Sequence, residues 1–321
     1  GLTPQEYRMC QGLDSAACII VDGKIIAAAE EERFTGEKFT CDFPINAIKY
    51  CLQAANLSID DIDYVCHGFD YSSYEKMYAL KPLSLKFYQE ILSPEAQMQH
   101  FKQHFQAFPI QDKFVPVPHH VAHAASTFYP SGFNNALIVI ADGLGEENGL
   151  SILQGEENKI SILKEHNIFS SLGILYSQIT AHLGFLVNSD EYKVMGLAPY
   201  GDPSVYDSIF NEIIEYLPNG ELIINAYSHN RTQLEKETFR GFKRWLADKT
   251  FAERLPNMPL EQKHKDLAAA LQAHLEKAML HIILHWKKVT QSNNLCLAGG
   301  VALNCVCNGI FLKKQDFDNI Y

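Results

Sequence analysis

Ala136-Leu137-Ile138-Val139-Ile140-Ala141-Asp142-Gly143 places six apolar residues in a row before an acidic residue and a glycine. A strand with one solvated face alternates apolar and polar side chains, whereas an unbroken apolar run suits a strand covered on both faces. The run predicts a central strand over Ala136–Ala141, ending where Asp142-Gly143 emerges at the open edge of the sheet. Ligands of α/β proteins bind at such edges.

Working outward, Leu150–Gln154 and Lys159–Leu163 read as a hairpin around Glu156-Glu157-Asn158, and Ser171–Leu183 as a helix stopped by Gly184. The stretch 202–259 is variable in character. Leu267–Val289 reads as a long helix, Leu295–Ala298 as a buried strand, and Val301–Lys313 as a helix after a Gly-Gly turn. Upstream, Ala16–Val21 and Lys24–Ala29 flank Asp22-Gly23, a strong hairpin signal. Pro44–Ala55 follows as a helix, with Tyr64–His67 and Phe114–Val117 as short strands around a helical insertion at about 71–106. A further helix runs through the histidines to about Pro130.

The two halves echo each other. Each has an acidic residue at a strand-to-turn junction, Asp14 and Asp142, followed by a hairpin and helices. Such a repeat builds two ribonuclease-H-like subdomains around a nucleotide cleft, as in the actin/hexokinase/Hsp70 (ASKHA) class. The expected fold is therefore α/β with two such subdomains, over 1–132 and 133–321, the second cut off before its end.

Composition narrows the function. Apolar residues make up 47% of the 321, as in ordinary globular proteins, and the formal net charge is -11. An acidic surface repels phosphate backbones, which disfavours nucleic acid as partner. No uninterrupted apolar run reaches the ~18–20 residues that span a bilayer, and Gly1 opens no charged-then-apolar leader. The eight cysteines form no C-x-x-C pair, a pattern of reduced thiols that suits the cytoplasm. Cys305 and Cys307 read as buried small hydrophobes.

Pro118-His119-His120-Val121-Ala122-His123 is the sharpest chemical feature. His119 and His123 stand one helical turn apart on one face, as two imidazole ligands of one metal do. His100/His104 and His281/His285 share that spacing, but the former sit among Gln and Lys and the latter in an amphipathic helix. Only His119/His123 is followed, across a buried strand, by a carboxylate at a strand end, Asp142. Two imidazoles and a carboxylate leave coordination positions open, as catalytic metals require. His120, beside these ligands, is a candidate base.

Gly299-Gly300 turns from strand to helix before Asn304, where backbone amides can face an anion. Lys193 precedes a glycine-containing apolar run and Lys38 follows the first hairpin; either can pair with phosphate, although a solvated surface is the commoner fate of lysine.

VDGKIIAAAEEERF (Val21–Phe34), HHVAHAAS (His119–Ser126), IADGLGE (Ile140–Glu146), KVMGLAPYG (Lys193–Gly201) and CLAGGVALNCVCNG (Cys296–Gly309), in that order, resemble the carbamoyltransferase family of nodulation-factor and antibiotic O-carbamoyltransferases. The resemblance implies a fold like the tRNA threonylcarbamoyltransferase and chemistry in two steps. A C-terminal domain similar to adenylate synthases would make carbamoyl-adenylate from carbamoyl phosphate and ATP. The part seen here would pass the carbamoyl group to a hydroxyl of a sugar or other natural product. It further implies a divalent metal, iron or another, on His119, His123, Asp142 and a later Asp beyond Tyr321. Lys38 matches a donor-pocket lysine, and Gly299, Gly300 and Asn304 match the adenylate-binding turn. Relatives carry His-Asp where Leu13-Asp14 stands, and Pro4–Gly12 reads as an insertion. The competing readings are a tRNA threonylcarbamoyltransferase-like enzyme, a non-catalytic nucleotide-binding regulatory module, and a sugar-kinase-like ATPase.

Overall fold

The computed structural model describes residues 14–79 and 81–321, and the chain separates into two units, residues 1–118 and 119–321. The readings at Pro4–Gly12, Cys10 and Leu13 lie outside the described residues.

In the first unit β1 (Ala16–Val21) and β2 (Lys24–Glu30) pair antiparallel, with Val21 opposite Lys24. Asp22 and Gly23 take φ of 49° and 75°, the two positive values that the tightest hairpin turn needs. Helix α1 (Ile45–Ala55) packs on this hairpin, and Cys51 Sγ approaches the Ala17 and Ala27 carbonyls. Pro44 offers its first turn no side-chain cap. The buried Glu31 carboxylate instead accepts the Asn46 and Ala47 N–H groups at 3.3 and 2.9 Å, satisfying orphan amides at the positive end of the helix. β3 (Val65–His67) and β4 (Phe114–Pro116) form a separate parallel pair. The segment between them is largely helical, and its longest described helix, α2 (Pro94–His104), is capped by Ser93.

The second unit opens with α3 (His119–Ser131). Three antiparallel strands follow, β5 (Asn135–Gly145), β6 (Asn148–Glu156) and β7 (Lys159–Asn167), and then α4 (Leu172–His182). β8 (Ile214–Leu217) and β9 (Glu221–Ile224) make a small hairpin before the long helix α5 (Gln262–Thr290). β10 (Asn294–Ala298), α6 (Cys305–Lys314) and β11 (Asn319–Ile320) complete the unit. The sheet runs β11-β10-β5-β6-β7, with β10 parallel to both β5 and β11.

β5 accounts for its own composition. Leu137, Val139 and Ala141 join a core with Leu175 of α4 and Leu271 and Leu275 of α5, while Ala136, Ile138 and Ile140 pack with Ala124 and Phe128 of α3. Alternate side chains point to opposite faces, and helices cover both, so every position is apolar. Because Ala124 and Phe128 belong to this core, α3 goes with the second unit. The division falls between 118 and 119, ahead of the 132/133 boundary expected from sequence.

α5 is long and apolar enough to cross a membrane by length and composition, yet 67% of its most apolar window is buried within the structure. That is the pattern of a core helix. Val301–Lys313 is not one helix: a 3-10 turn (Gly300–Leu303) comes first, and Asn304 then caps α6. Cys305 is exposed, which corrects its expected burial; Cys307 is buried, and burial pushes its thiol up to about 12. All described cysteines are free. The architecture is mixed α/β. Among the described residues the first unit holds two separate strand pairs and does not repeat the five-stranded sheet.

Candidate metal centre

The centre is built where α3 starts and β5 ends. The ladder between β5 and β6 is irregular between Ala141 and Gly145, which releases Asp142-Gly143 from strict alternation. α4 clamps this turn from below. The Ser171 hydroxyl lies 2.9 and 2.6 Å from the Asp142 and Gly143 carbonyl oxygens, and a Cβ on Gly173 would stand 2.6 Å from the Asp142 carbonyl oxygen. On the other side, the His119 N–H lies 3.1 Å from each Glu146 carboxylate oxygen, fixing the start of α3.

His119 and His123 project from one face of α3, with their Nε2 atoms 3.1 Å apart. Asp142 Oδ2 sits 3.1 Å from His119 Nε2 and 3.4 Å from His123 Nε2. Its other oxygen, Oδ1, accepts the Gly143 and Gly300 N–H groups at 2.7 and 3.0 Å. Burial pushes the Asp142 carboxyl up, but the imidazoles of His119 and His123 and the amides of Gly300 and Gly143 together hold it well below the usual carboxylate range.

These distances fit a metal. With metal–ligand bonds of about 2.1 Å, ligands about 90–109° apart are separated by roughly 3.0–3.4 Å. The three measured edges are 3.1, 3.1 and 3.4 Å. Hydrogen bonds alone serve the trio poorly, because two nitrogens that both donate to Oδ2 cannot also bond each other. A cation facing the three lone pairs satisfies all of them at once. Among the described residues this is the single such group of three. The other histidine pairs do not match it: His104 stacks on Phe43, and His281 Nε2 lies 3.0 Å from the Leu217 and Glu221 carbonyl oxygens.

The remaining candidates fall elsewhere. His120 is 4% exposed, with Nδ1 2.6 Å from the Ser151 hydroxyl, and its ring abuts Gly145, where a Cβ would stand 2.6 Å away. Burial chiefly lowers its pKa to about 4. That is the placement of a residue packed between helix and sheet, not of a base open to an acceptor. Gly299 does need to be glycine, at φ 91° with its missing Cβ 2.5 Å from the Ala141 carbonyl oxygen. The Gly300 N–H is already committed to Asp142, so it is not free for an anion. Asn304 is 9% exposed and caps α6 by accepting the Cys307 N–H at 3.0 Å. Lys193 is exposed and held by Asp190 at 2.8 Å, and Lys38 is an exposed residue of the first unit. Sequence alone does not single out Glu146 and Ser171 as residues of the site. Glu146 lies in the IADGLGE run and Ser171 at a helix start, but neither has a spacing that distinguishes it.

The family model for the carbamoyltransferase N-terminus matches residues 11–321. An uncharacterized protein of Synechocystis sp. is 36% identical over 96% of this chain and 52% of its own length. Nodulation protein NolNO of Sinorhizobium fredii is 34% identical over 96% of this chain and 43% of its own. The chain thus spans about half the length of these relatives. Component A of (R)-2-hydroxyglutaryl-CoA dehydratase from Acidaminococcus fermentans aligns at 11% identity over 97% of this chain and 90% of that one. Its TM-score is 0.44. On the match across residues 11–321, the chain belongs to the carbamoyltransferase N-terminus family.

Proposed function

We propose that this chain is the metal-binding, acyl-transferring part of an ATP-dependent O-carbamoyltransferase, which passes carbamoyl from carbamoyl-adenylate to a hydroxyl of a sugar or other natural product. The observation that carries the reading is the convergence of His119, His123 and Asp142 at the end of β5, in a chain of this family. The sheet order of the second unit, three antiparallel strands and then two parallel ones, supports a ribonuclease-H-like subdomain of the ASKHA class. The formal charge of -11 favours a small acceptor over tRNA.

In the transfer, the acceptor oxygen attacks the carbamoyl carbon, the carbon–oxygen bond to the AMP phosphate breaks, and AMP leaves with the electron pair. The hydroxyl proton passes to solvent or a base. A divalent ion, Fe(II) or another, supplies a Lewis acid there when bound. His119 and His123 would hold it through their Nε2 atoms and Asp142 through Oδ2, while Oδ1 is pinned by the Gly143 and Gly300 amides. Lys38 is proposed to meet the donor and Lys193 the nucleotide; both are exposed, and Lys193 is paired with Asp190 at 2.8 Å.

The test uses the full-length polypeptide with ATP, carbamoyl phosphate and a panel of sugar and aminoglycoside alcohols. Carbamoylated acceptor with AMP and pyrophosphate is the expected outcome. AMP and pyrophosphate with no carbamoylated acceptor from any alcohol would overturn the transferase reading in favour of a nucleotide-binding module.

A further inference from the structure

Away from the metal-binding trio, Gln272, Asn304 and Tyr176 form a hydrogen-bonded network of side chains. Gln272 of α5 is 5% exposed and uses its whole amide. Its Oε1 accepts the Asn304 Nδ2–H at 2.8 Å and the Tyr176 hydroxyl at 3.2 Å. Its Nε2 donates to Asn304 Oδ1 at 3.0 Å and Glu276 Oε1 at 2.9 Å. An amide has two acceptor lone pairs and two donors, and here all four are engaged. The Cys307 N–H, donating to Asn304 Oδ1 at 3.0 Å, sets which way both amides face: turning Asn304 over would point its NH₂ at that N–H and break the reciprocal pair.

The network ends on the glycine turn. Asn304 follows Gly300–Leu303 directly, and its own N–H donates to the Val301 carbonyl at 3.0 Å. Gly300 in turn donates to Asp142 Oδ1. The Gln272–Asn304 pair, the turn itself and the Gly300–Asp142 bond therefore connect the Gln272 amide to the carboxylate that faces His119 and His123.

We propose that Gln272 is a positioning residue: its reciprocal amide pair with Asn304 locks the Gly300–Leu303 turn, so that the Gly300 N–H holds Asp142 with Oδ2 turned toward His119 and His123. The metal half of this inference rests on the function proposed above; the backbone half does not. Leaving a buried Asn and Tyr unpaired loosens the turn locally, because each unsatisfied group seeks a new partner. Outer partners of metal ligands typically change metal affinity by about 10–100-fold when removed.

Two readouts on the same samples test it. The first is amide hydrogen exchange at 299–304, with β5 and β10 as internal controls. The second is affinity for Fe(II) and Zn(II) by chelator competition. Gln272→Met, similar in length and apolar, should speed exchange at the turn by about tenfold or more, leave the strands protected, and weaken the metal by about tenfold or more. Asn304→Ser keeps a helix cap but loses the amide pair, so it should do the same if Gln272→Met does not fold. Unchanged exchange at 299–304 in a folded variant overturns the proposal. Faster exchange in a protein whose wild type takes up no metal supports the positioning of the turn and overturns the metal reading instead.

Discussion

His119 and Glu146 are joined at the helix end: the His119 N–H lies 3.1 Å from both Glu146 carboxylate oxygens. Glu146 stands one residue past β5 with a left-handed φ of 48°. The strand that delivers Asp142 thus also sets where the histidine helix begins. A carboxylate at this position meets orphan amides and the positive end of the helix dipole.

Replacing that acceptor should loosen the helix start. Glu146→Ala is expected to lower unfolding stability by about 1 kcal/mol in urea titrations, as loss of a cap does. Glu146→Gln keeps an oxygen for the amide and should lose less. Equal stability of the alanine variant and the wild type would show that the contact contributes nothing.

The trio makes a prediction about composition. Protein prepared without chelator should carry a divalent ion by elemental analysis, and His119→Ala, His123→Ala and Asp142→Ala should each abolish it. His281→Ala should leave it intact, since His281 faces the Leu217 and Glu221 carbonyls instead. Metal retained by all three site variants would place the ion elsewhere.

Packing of the histidine helix can be probed at Gly155. A Cβ there would stand 2.4 Å from the Phe128 ring, and Phe128 is 1% exposed. Gly155→Ala should cost about 1–3 kcal/mol by overpacking. Adding Phe128→Leu should recover part of that loss, because the two changes share one space. Additive losses in the double variant, measured by thermal or urea unfolding, would contradict the contact.

Acid should destabilise the second unit. Burial chiefly lowers the His182 pKa from 6.5 to about 4, and a backbone hydrogen bond to Phe251 only partly opposes this. Between these values the unfolded chain binds a proton that the folded chain does not. The stability from keeping His182 neutral is complete above pH 6.5 and drains away as pH falls toward 4. The loss amounts to about 3 kcal/mol at most. The melting temperature should fall over that window, and His182→Gln should flatten the fall. An identical pH profile in that variant would remove His182 as a cause.

Much of the frame was legible in the chain. The Asp22-Gly23 hairpin, the run at Ala136–Ala141 and the strand at Leu295–Ala298 appear where local pattern placed them, because turn chemistry and face-by-face burial are written in neighbouring residues. β11 was not legible, since two residues cannot show a period. Nor was the split of Val301–Lys313 into a turn and a helix, which depends on Asn304 finding Gln272, 32 residues earlier in the chain.

By itself the sequence determined which residues are able to meet: spacing by four puts His119 and His123 on one helix face, and an apolar run ending in an acid brings Asp142 to a strand tip. Folding in three dimensions decided the rest. It turned one Asp142 oxygen to Gly300 and the other to the imidazoles, and it sealed His120, on the same helix as those imidazoles, against Ser151 of β6. Adjacent residues on a helix diverge by about 100°, so which of two neighbouring histidines faces the open edge depends on how the helix is rotated against the sheet. Only packing, here Phe128 on Gly155 and Glu146 on the helix end, sets that angle.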